Sequence, residues 1–375
     1  MKKKNFIMII LFIFFFTFIT IGLEPKSAED VAIIAGTGVD IDKSAAQVIY
    51  NFYRDIYVFK ENDPTSHMVL TGSASTIAQT RQERHVKSNK KEILGQEKIF
   101  LISDEYAEFG IKGLLDSFYK NPTTNNASYI LICKGKSLPY LEHEIPGYPS
   151  SSDFMEGLVE NSKEYNFFSE NYNLMDLYIR SSAEGRTTAL PYIELQESDE
   201  NSKKKEIKII GTAILKKDKL VATVDIEDSR IMNLLRENKV RGMLRIQEEP
   251  QKFIEYYGRS KRKVKCIKEG DKYKFIINLD IKGDIVSNEL YKNIITDVKQ
   301  KKDFEKKLAE KTEKMCNDFL DKMKKEYKAD CLELGKVAAE TYGRRTGIDW
   351  DKVVTDSIIE VNVKIKVDTQ GRGDY

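Results

Sequence analysis

The hydrophobic pattern opens with an unbroken apolar run from Phe6 to Leu23, preceded by Lys2, Lys3 and Lys4. As a helix, its roughly 18 residues reach ~27 Å, close to the ~30 Å hydrocarbon thickness of a bilayer. A charged start ahead of an uncharged run marks export, and both a cleaved signal peptide and a retained anchor fit it. The positive flank stays cytoplasmic, which places the chain after Glu24 outside. From Glu24 onward apolar and polar positions are mixed, as in a body folded in water.

Region 24–200 reads as α/β. Val31–Val39 is a buried strand ended by Gly36-Thr37-Gly38 and Asp40. In Ala46–Val58, Val48, Tyr50 and Phe52 alternate as in a strand, with a helix as the other option. Asn62-Asp63-Pro64 is a turn, Met68–Leu70 a short strand, Ser75–Glu83 a helix start and Lys87–Lys91 a charged loop. Lys98–Ile102 is a compact apolar strand. Ser103 or Asp104 caps the next helix, whose Ile111, Leu114, Leu115 and Phe118 share one face until Asn121-Pro122 stops it. Tyr129–Cys133 follows as a strand, and strand–helix–strand order gives an α/β-type unit. After a loop at 146–152, Asp153–Tyr172 and Leu174–Ser181 read as helices.

The polar run Ser198–Lys205 is the expected domain boundary, so the leader is 1–23, the first region 24–200 and the second 207–375. The second opens with strands Ile207–Leu215 and Leu220–Val224, then a short helix Ile231–Glu237. Lys263–Lys268 and Tyr273–Ile281 are strands joined at Glu269-Gly270-Asp271. Tyr273, Phe275, Ile277, Leu279 and Ile281 alternate with polar neighbours, so one sheet face is wet. Residues 289–327 carry the longest helical pattern, with narrow stripes Leu290/Ile294/Val298 and Phe319/Met323/Tyr327. Past a glycine-marked break at 343–347, Ile359–Val367 is a last alternating strand. The fold class expected is α+β: two to three domains with mixed sheets, and a C-terminal antiparallel sheet packed on a long helix.

Composition narrows the function. Lys+Arg 61 against Asp+Glu 59 leaves +2, which gives no global field for nucleic acid. Cys133, Cys266, Cys316 and Cys331 form no C-x-x-C pair. They read as small apolar side chains, with a Cys316–Cys331 bridge as the alternative that export permits. His67, His85 and His143 have no metal-ligand spacing and are expected at the surface. Gly135-Lys136-Ser137 resembles the end of a phosphate loop, but Ile130 stands where its first glycine belongs. Gly36-Thr37-Gly38 lacks the third glycine of a dinucleotide site. Lys261–Lys265 is a basic patch: a solvated strand end, or a contact for anionic lipid headgroups. No catalytic, cofactor or metal constellation emerges, and the chain reads as a binding or scaffold module rather than an enzyme.

Several pieces taken in order resemble a known family. They are Asp30–Asp40 with Gly36, Gly38 and Asp40; Gly72 and Ser75–Ala78; Leu114–Phe118 with Asn121-Pro122; Leu190-Pro191-Tyr192-Ile193; Gly211-Thr212-Ala213 followed by Asp218–Val221; and Lys328-Ala329-Asp330, Leu334-Gly335 and Trp350. Together they are similar to the Ger(x)C family, the C subunit of bacterial spore germinant receptors. The resemblance implies a non-enzymatic, three-domain α+β body without cofactors. It also implies two membrane partners, the A and B subunits, at the outer face of the inner spore membrane. Family members carry a diacylglycerol tether on a lipobox cysteine. Here Leu23 takes that position, followed by Glu24-Pro25, so a helical anchor is expected in place of the lipid. The alternative reading is an exported, membrane-anchored protein that binds the germinant itself.

Overall fold

The computed structural model describes residues 2–20, 31–44, 47–60, 63–198, 204–270, 272–291, 294, 296–344 and 347–370. The apolar run forms helix α1 (Lys2–Thr20), with Phe6–Phe16 exposed on every side. The described uncharged part, Asn5 to Thr20, is about 24 Å long. Among the described residues no helix is long and apolar enough to cross a membrane; residues 21–23, which complete the apolar run of the expected anchor, lie outside them. Leu23 and Glu24-Pro25 lie outside the described residues.

Nine strands form the first sheet. They are β1 (Val31–Lys43), β2 (Val48–Lys60), β3 (Asp63–Ala74), β4 (Lys91–Ile93), β5 (Ile99–Ser103), β6 (Tyr129–Cys133), β7 (Thr188–Glu197), β8 (Lys205–Lys216) and β9 (Lys219–Asp225). The order is β3-β2-β1-β5-β6-β7-β8-β9, with β4 also on β1. The central β1-β5-β6-β7 pairs are parallel and the flanking hairpins antiparallel. A strand covered on both faces reads as continuously apolar, and β5 is such a strand. Its Phe100 and Ile102 pack with Leu114, Leu115 and Phe118 of α4 (Lys112–Lys120) on one face. Its Ile99 and Leu101 pack with Tyr140 and Leu141 of α5 (Leu138–Leu141) and Met155 and Val159 of α6 (Ser151–Tyr165) on the other.

The second sheet has the order β10 (Arg241–Glu249), β11 (Lys252–Glu269), β12 (Lys272–Asn288), β13 (Ile358–Gln370). The first three run antiparallel and β13 joins β12 in parallel. Phe304, Leu308, Cys316 and Phe319 of α9 (Val298–Lys322) meet Tyr256, Phe275, Ile277 and Leu279 in the core between them. An α+β body with two sheets is therefore observed.

Several boundaries move, for local reasons. The long helix begins at Val298 rather than at 289, because the Asn288 carboxamide accepts the amides of Leu290 and Tyr291 in a turn. Asp297 then caps α9 through Lys299 and Gln300. Past α9, Met323–Tyr327 widens to a π turn that ends at Lys328, φ 50. The helix expected to run to Tyr172 stops at Tyr165, since Phe167 turns left-handed (φ 58) to pair with Arg241 of β10. Gly110 (φ 120) splits the helix after β5 into α3 (Asp104–Phe109) and α4. Of the Ala46–Val58 stretch, residues 48–58 are strand, within β2, and Ala46 lies outside the described residues. Strand β10 and helices α10 (Leu334–Tyr342) and α11 (Trp350–Asp356) carry no sequence expectation.

The polar run 198–205 links β7 and β8, which pair from Thr188↔Leu215 to Glu197↔Lys205. Counted by sheets, the changeover falls later, at α8 (Ile226–Arg236). All four cysteines are buried and free, so Cys316–Cys331 is not a bridge. His67 is not a free surface residue: its Nδ1 lies 2.6 Å from the buried Asp55 carboxylate, a partner that raises its pKa.

Two close contacts on the first sheet fall on glycines of β1. A Cβ on Gly36 would sit 2.1 Å from Ser152 Oγ of α6, and one on Gly38 would sit 2.7 Å from Ser137 Oγ and 2.8 Å from Leu141 Cδ1. Gly38→Ala is expected to cost ~1–3 kcal/mol by overpacking. Gly113→Ala in α4, with its nearest atom at 3.7 Å, is expected to be neutral or to add up to ~1 kcal/mol. Thermal melts of the two variants check the contrast.

Candidate functional site

The sequence-marked residues divide into three groups. On β1, Asp40 is fully buried and accepts the Ser137 amide at 2.9 and 3.1 Å. Burial pushes its carboxyl above the usual range, while the Ser137 amide and Lys136 pull it back. The neighbouring turn supplies both: Lys136 Nζ reaches Asp42 at 2.6 Å and the Ile41 carbonyl at 2.6 Å. The Gly135-Lys136-Ser137 stretch thus cradles a carboxylate of its own chain. Pro191 and Gly211 sit in the β7–β8 hairpin. Pairing of β7 with β6 starts at Tyr192, one residue after Pro191, whose missing N–H leaves no gap in that ladder. A Cβ on Gly211 would stand 1.9 Å from the Val224 carbonyl oxygen.

The third group builds the junction between the two sheets. The Asp330 carboxylate accepts the amides of Leu332 at 3.0 Å and Gly335 at 2.7 Å, folding 330–335 into a tight loop. Burial pushes this carboxyl up to about 6, against the opposing pull of those amides. Gly335 lets the loop touch Trp350, whose Cβ lies 2.7 Å from where a Gly335 side chain would start. Trp350 Nε1 donates to Glu184 at 2.9 Å, across to the first half. Lys216 of β8 pairs with Asp351 in the same way.

The loop exists to present Glu333. This residue takes a left-handed backbone (φ 54) and points into a ring of three guanidiniums. Arg180 of α7 (Leu174–Ser182) lies at 3.1 Å, Arg186 at 3.0 and 3.1 Å, and Arg236 of α8 at 3.1 Å. Arg236 is fully buried and also donates to the Cys331 carbonyl at 2.7 Å and to Thr187 Oγ1 at 3.1 Å. Burial alone would raise the Glu333 carboxyl, but Arg236, Arg180 and Arg186 overcome it and hold it at about 2. At neutral pH such a group moves no protons; it fixes α7 and α8 to the 330–335 loop.

A second built cluster lies in the first sheet, and sequence reading missed it. Arg54 of β2 and Arg84 of α2 (Ile77–His85) are both buried beside a cavity of about 520 Å³ walled by Phe52, Phe100 and Phe118. Arg84 holds Glu92 at 3.1 Å, but Arg54 reaches Glu92 and Glu97 only at 3.9 Å, beyond hydrogen-bond range. Arg54 donates to Thr37, yet its Nε is buried without a partner. Burial and the neighbouring Arg84 lower its pKa to about 10. A small anion is what this arrangement can accept. The only signal in the sequence is an arginine inside an aromatic strand run, Phe52-Tyr53-Arg54. Among the described residues no group of His, Cys, Asp and Glu could hold a metal ion.

The three groups therefore pack against different neighbours rather than around one cleft, and each positions backbone or charge. Glu333→Gln is expected to destabilise the body by ~3–5 kcal/mol at pH 7, since among the described residues it leaves Arg186 without a carboxylate and Arg180 and Arg236 with only Glu237, at 3.6 and 3.2 Å. Because the native carboxyl sits at about 2, this contribution is complete above pH ~4.5 and fades as pH falls toward 2. Denaturant midpoints of variant and wild type, measured from pH 7 down to 2, are expected to converge.

Comparison with known proteins agrees with the architecture. Residues 25–195 match the family model described as "Spore germination protein N-terminal domain". Residues 210–371 match "Spore germination B3/ GerAC like, C-terminal", so the two models meet across the polar run before β8. The chain is 23% identical over 374 residues to a spore germination protein, GerQC, of Bacillus cereus, covering 96% of this chain and 98% of that one. The crystal structure of the GerBC protein shares its fold, with a TM-score of 0.56 at 15% identity over 88% of this chain and 97% of that one. With both halves matched in order and the fold shared throughout, the chain belongs to the Ger(x)C family of spore germination proteins.

Proposed function

We propose that this protein is the non-enzymatic C subunit of a spore germinant receptor, standing on the outer face of the inner spore membrane beside the A and B membrane subunits. The observation that carries the reading is the ordered match of both halves to spore germination domains. Two features support it. The body is joined across its sheets by a buried, permanently charged ring, which suits a rigid scaffold. It also follows a helix on which the apolar residues Phe6–Phe16 are solvent-exposed, which suits a segment directed to a membrane. The test is affinity purification of the tagged full chain from detergent-solubilised spore membranes. Multi-span A and B subunits are expected in the eluate. Recovery of a lone soluble chain from the spore core would overturn the proposal.

A second reading, capture of the germinant by this subunit, is favoured by the unpartnered Arg54 Nε at the aromatic-walled cavity. Calorimetric titration of the full chain with amino acids and sugars tests it. Heat from a carboxylate-bearing compound, abolished in Arg54→Met, is the outcome it expects. No heat with any compound leaves the scaffold reading alone.

A further inference from the structure

We infer that the outward face of the second sheet is a docking surface for an anionic bilayer, an inference that rests on the reading that the body works beside a membrane. Even-numbered residues of β11 such as Tyr256, Ser260 and Cys266 turn inward, and odd-numbered Arg259, Lys261, Lys263 and Lys265 are exposed. The Lys261–Lys265 patch is therefore no strand end; it lies within an 18-residue strand. Strand register then sets Arg241, Arg259, Lys282 and Lys366 in one row across all four strands. The next row is Lys261, Asp280 and Lys364. A shallow hollow of about 860 Å³ lies over both, and Lys239 adds a further cation to its lining.

Like charges set directly opposite one another on a sheet destabilise it. Two members of the rows are relieved: Arg241 meets Glu164 at 3.1 Å and Lys366 meets Asp368 at 3.8 Å. Among the described residues no carboxylate comes within 4.0 Å of Arg259, Lys261, Lys282 or Lys364. The chain as a whole carries only +2, so this is a local concentration on a nearly neutral body. Elsewhere the same sheet pairs its charges, as at Lys274 and Glu360, 2.7 Å apart. Arg259, Lys261, Lys282 and Lys364 thus lie together, and the exposed Lys263 and Lys265 continue the basic character along β11.

The chemistry of the face selects its occupant. Lysine predominates, and the two rows hold no aromatic ring. Protein interfaces are poor in Lys and rich in aromatic rings and Arg, and single-stranded nucleic acid needs rings to stack on. Flexible ammonium groups demand no fixed fork geometry and suit a layer of mobile lipid phosphates.

The test is co-sedimentation of the full chain with phosphatidylcholine vesicles, with or without about one third phosphatidylglycerol. Helix α1 contributes in every arm, so the readout is the preference for anionic over neutral vesicles. Each basic residue at a charged surface is worth about fivefold in partitioning, so Lys261→Glu, Lys282→Glu and Lys364→Glu together are expected to lower that preference by about 100-fold. The matching Lys→Arg triple is expected to retain it, and about 0.5 M NaCl to abolish most of it. Unchanged melting temperature confirms that the exposed substitutions leave the fold intact. Loss of preference in the Lys→Arg triple, or full preference in the Glu triple, overturns the inference. So does a Glu triple that loses only the receptor subunits in purification while still preferring anionic vesicles. Absence of the A and B subunits with vesicle preference intact would instead count against the proposed function alone.

Discussion

A carboxylate shared by three guanidiniums out of water is the constraint on which the rest of this body depends. Arg236 is fully buried, and Arg180 and Arg186 are mostly so. Three such charges are tolerable only with a partner held in fixed geometry. Glu333 contacts all three, with Glu237 assisting at Arg236 and Arg180, and a left-handed backbone and the Asp330 loop present Glu333. The ring ties a helix of the first sheet, a helix of the changeover and a loop of the second half into one piece. The two halves meet through hydrogen bonds and charge as well as through apolar contact, and this fixes their relative orientation.

Charge is used in two opposite ways. At the junction, opposite signs are buried in pairs and cannot respond to the surroundings. On the outward face of the second sheet, cations predominate in exposed rows, and four of them have no carboxylate of this chain within 4.0 Å among the described residues. The cavity beside Arg54 lies between these cases: a buried guanidinium with carboxylates nearby at 3.9 Å, too far to complete its hydrogen bonding. Satisfied, half-satisfied and unsatisfied cations thus occur, in order, at the junction, beside the cavity and on the sheet face.

The glycines and the two aspartates singled out along the sequence have a common physical role. Gly36 and Gly38 let helices close on β1, Gly335 lets a loop close on Trp350, and Asp40 and Asp330 gather backbone amides that would otherwise be unpaired. They are positions where backbone approaches backbone or helix approaches strand. Their resemblance to family motifs reflects the packing of the fold, and none of them lies against a reacting group.

Local pattern was enough to find β5, β6, α4, α7 and the alternating strands β12 and β13, because burial on one face or two leaves a period in the sequence. It also gave the α+β class and the family. Tertiary structure alone decided where patterned stretches stop, as at Asn288, Gly110 and Phe167, since a single side-chain cap or left-handed residue ends an element whatever its hydrophobic period. It decided too that β13 joins its sheet in parallel and that β7 and β8, on either side of the polar run, pair as antiparallel neighbours. The charged sites were the least legible: Arg180, Arg236 and Glu333 are far apart in sequence, and the row from Arg241 to Lys366 exists only through strand register. Periodicity is a property of neighbours along the chain, whereas charge pairing and charge accumulation are properties of neighbours in space.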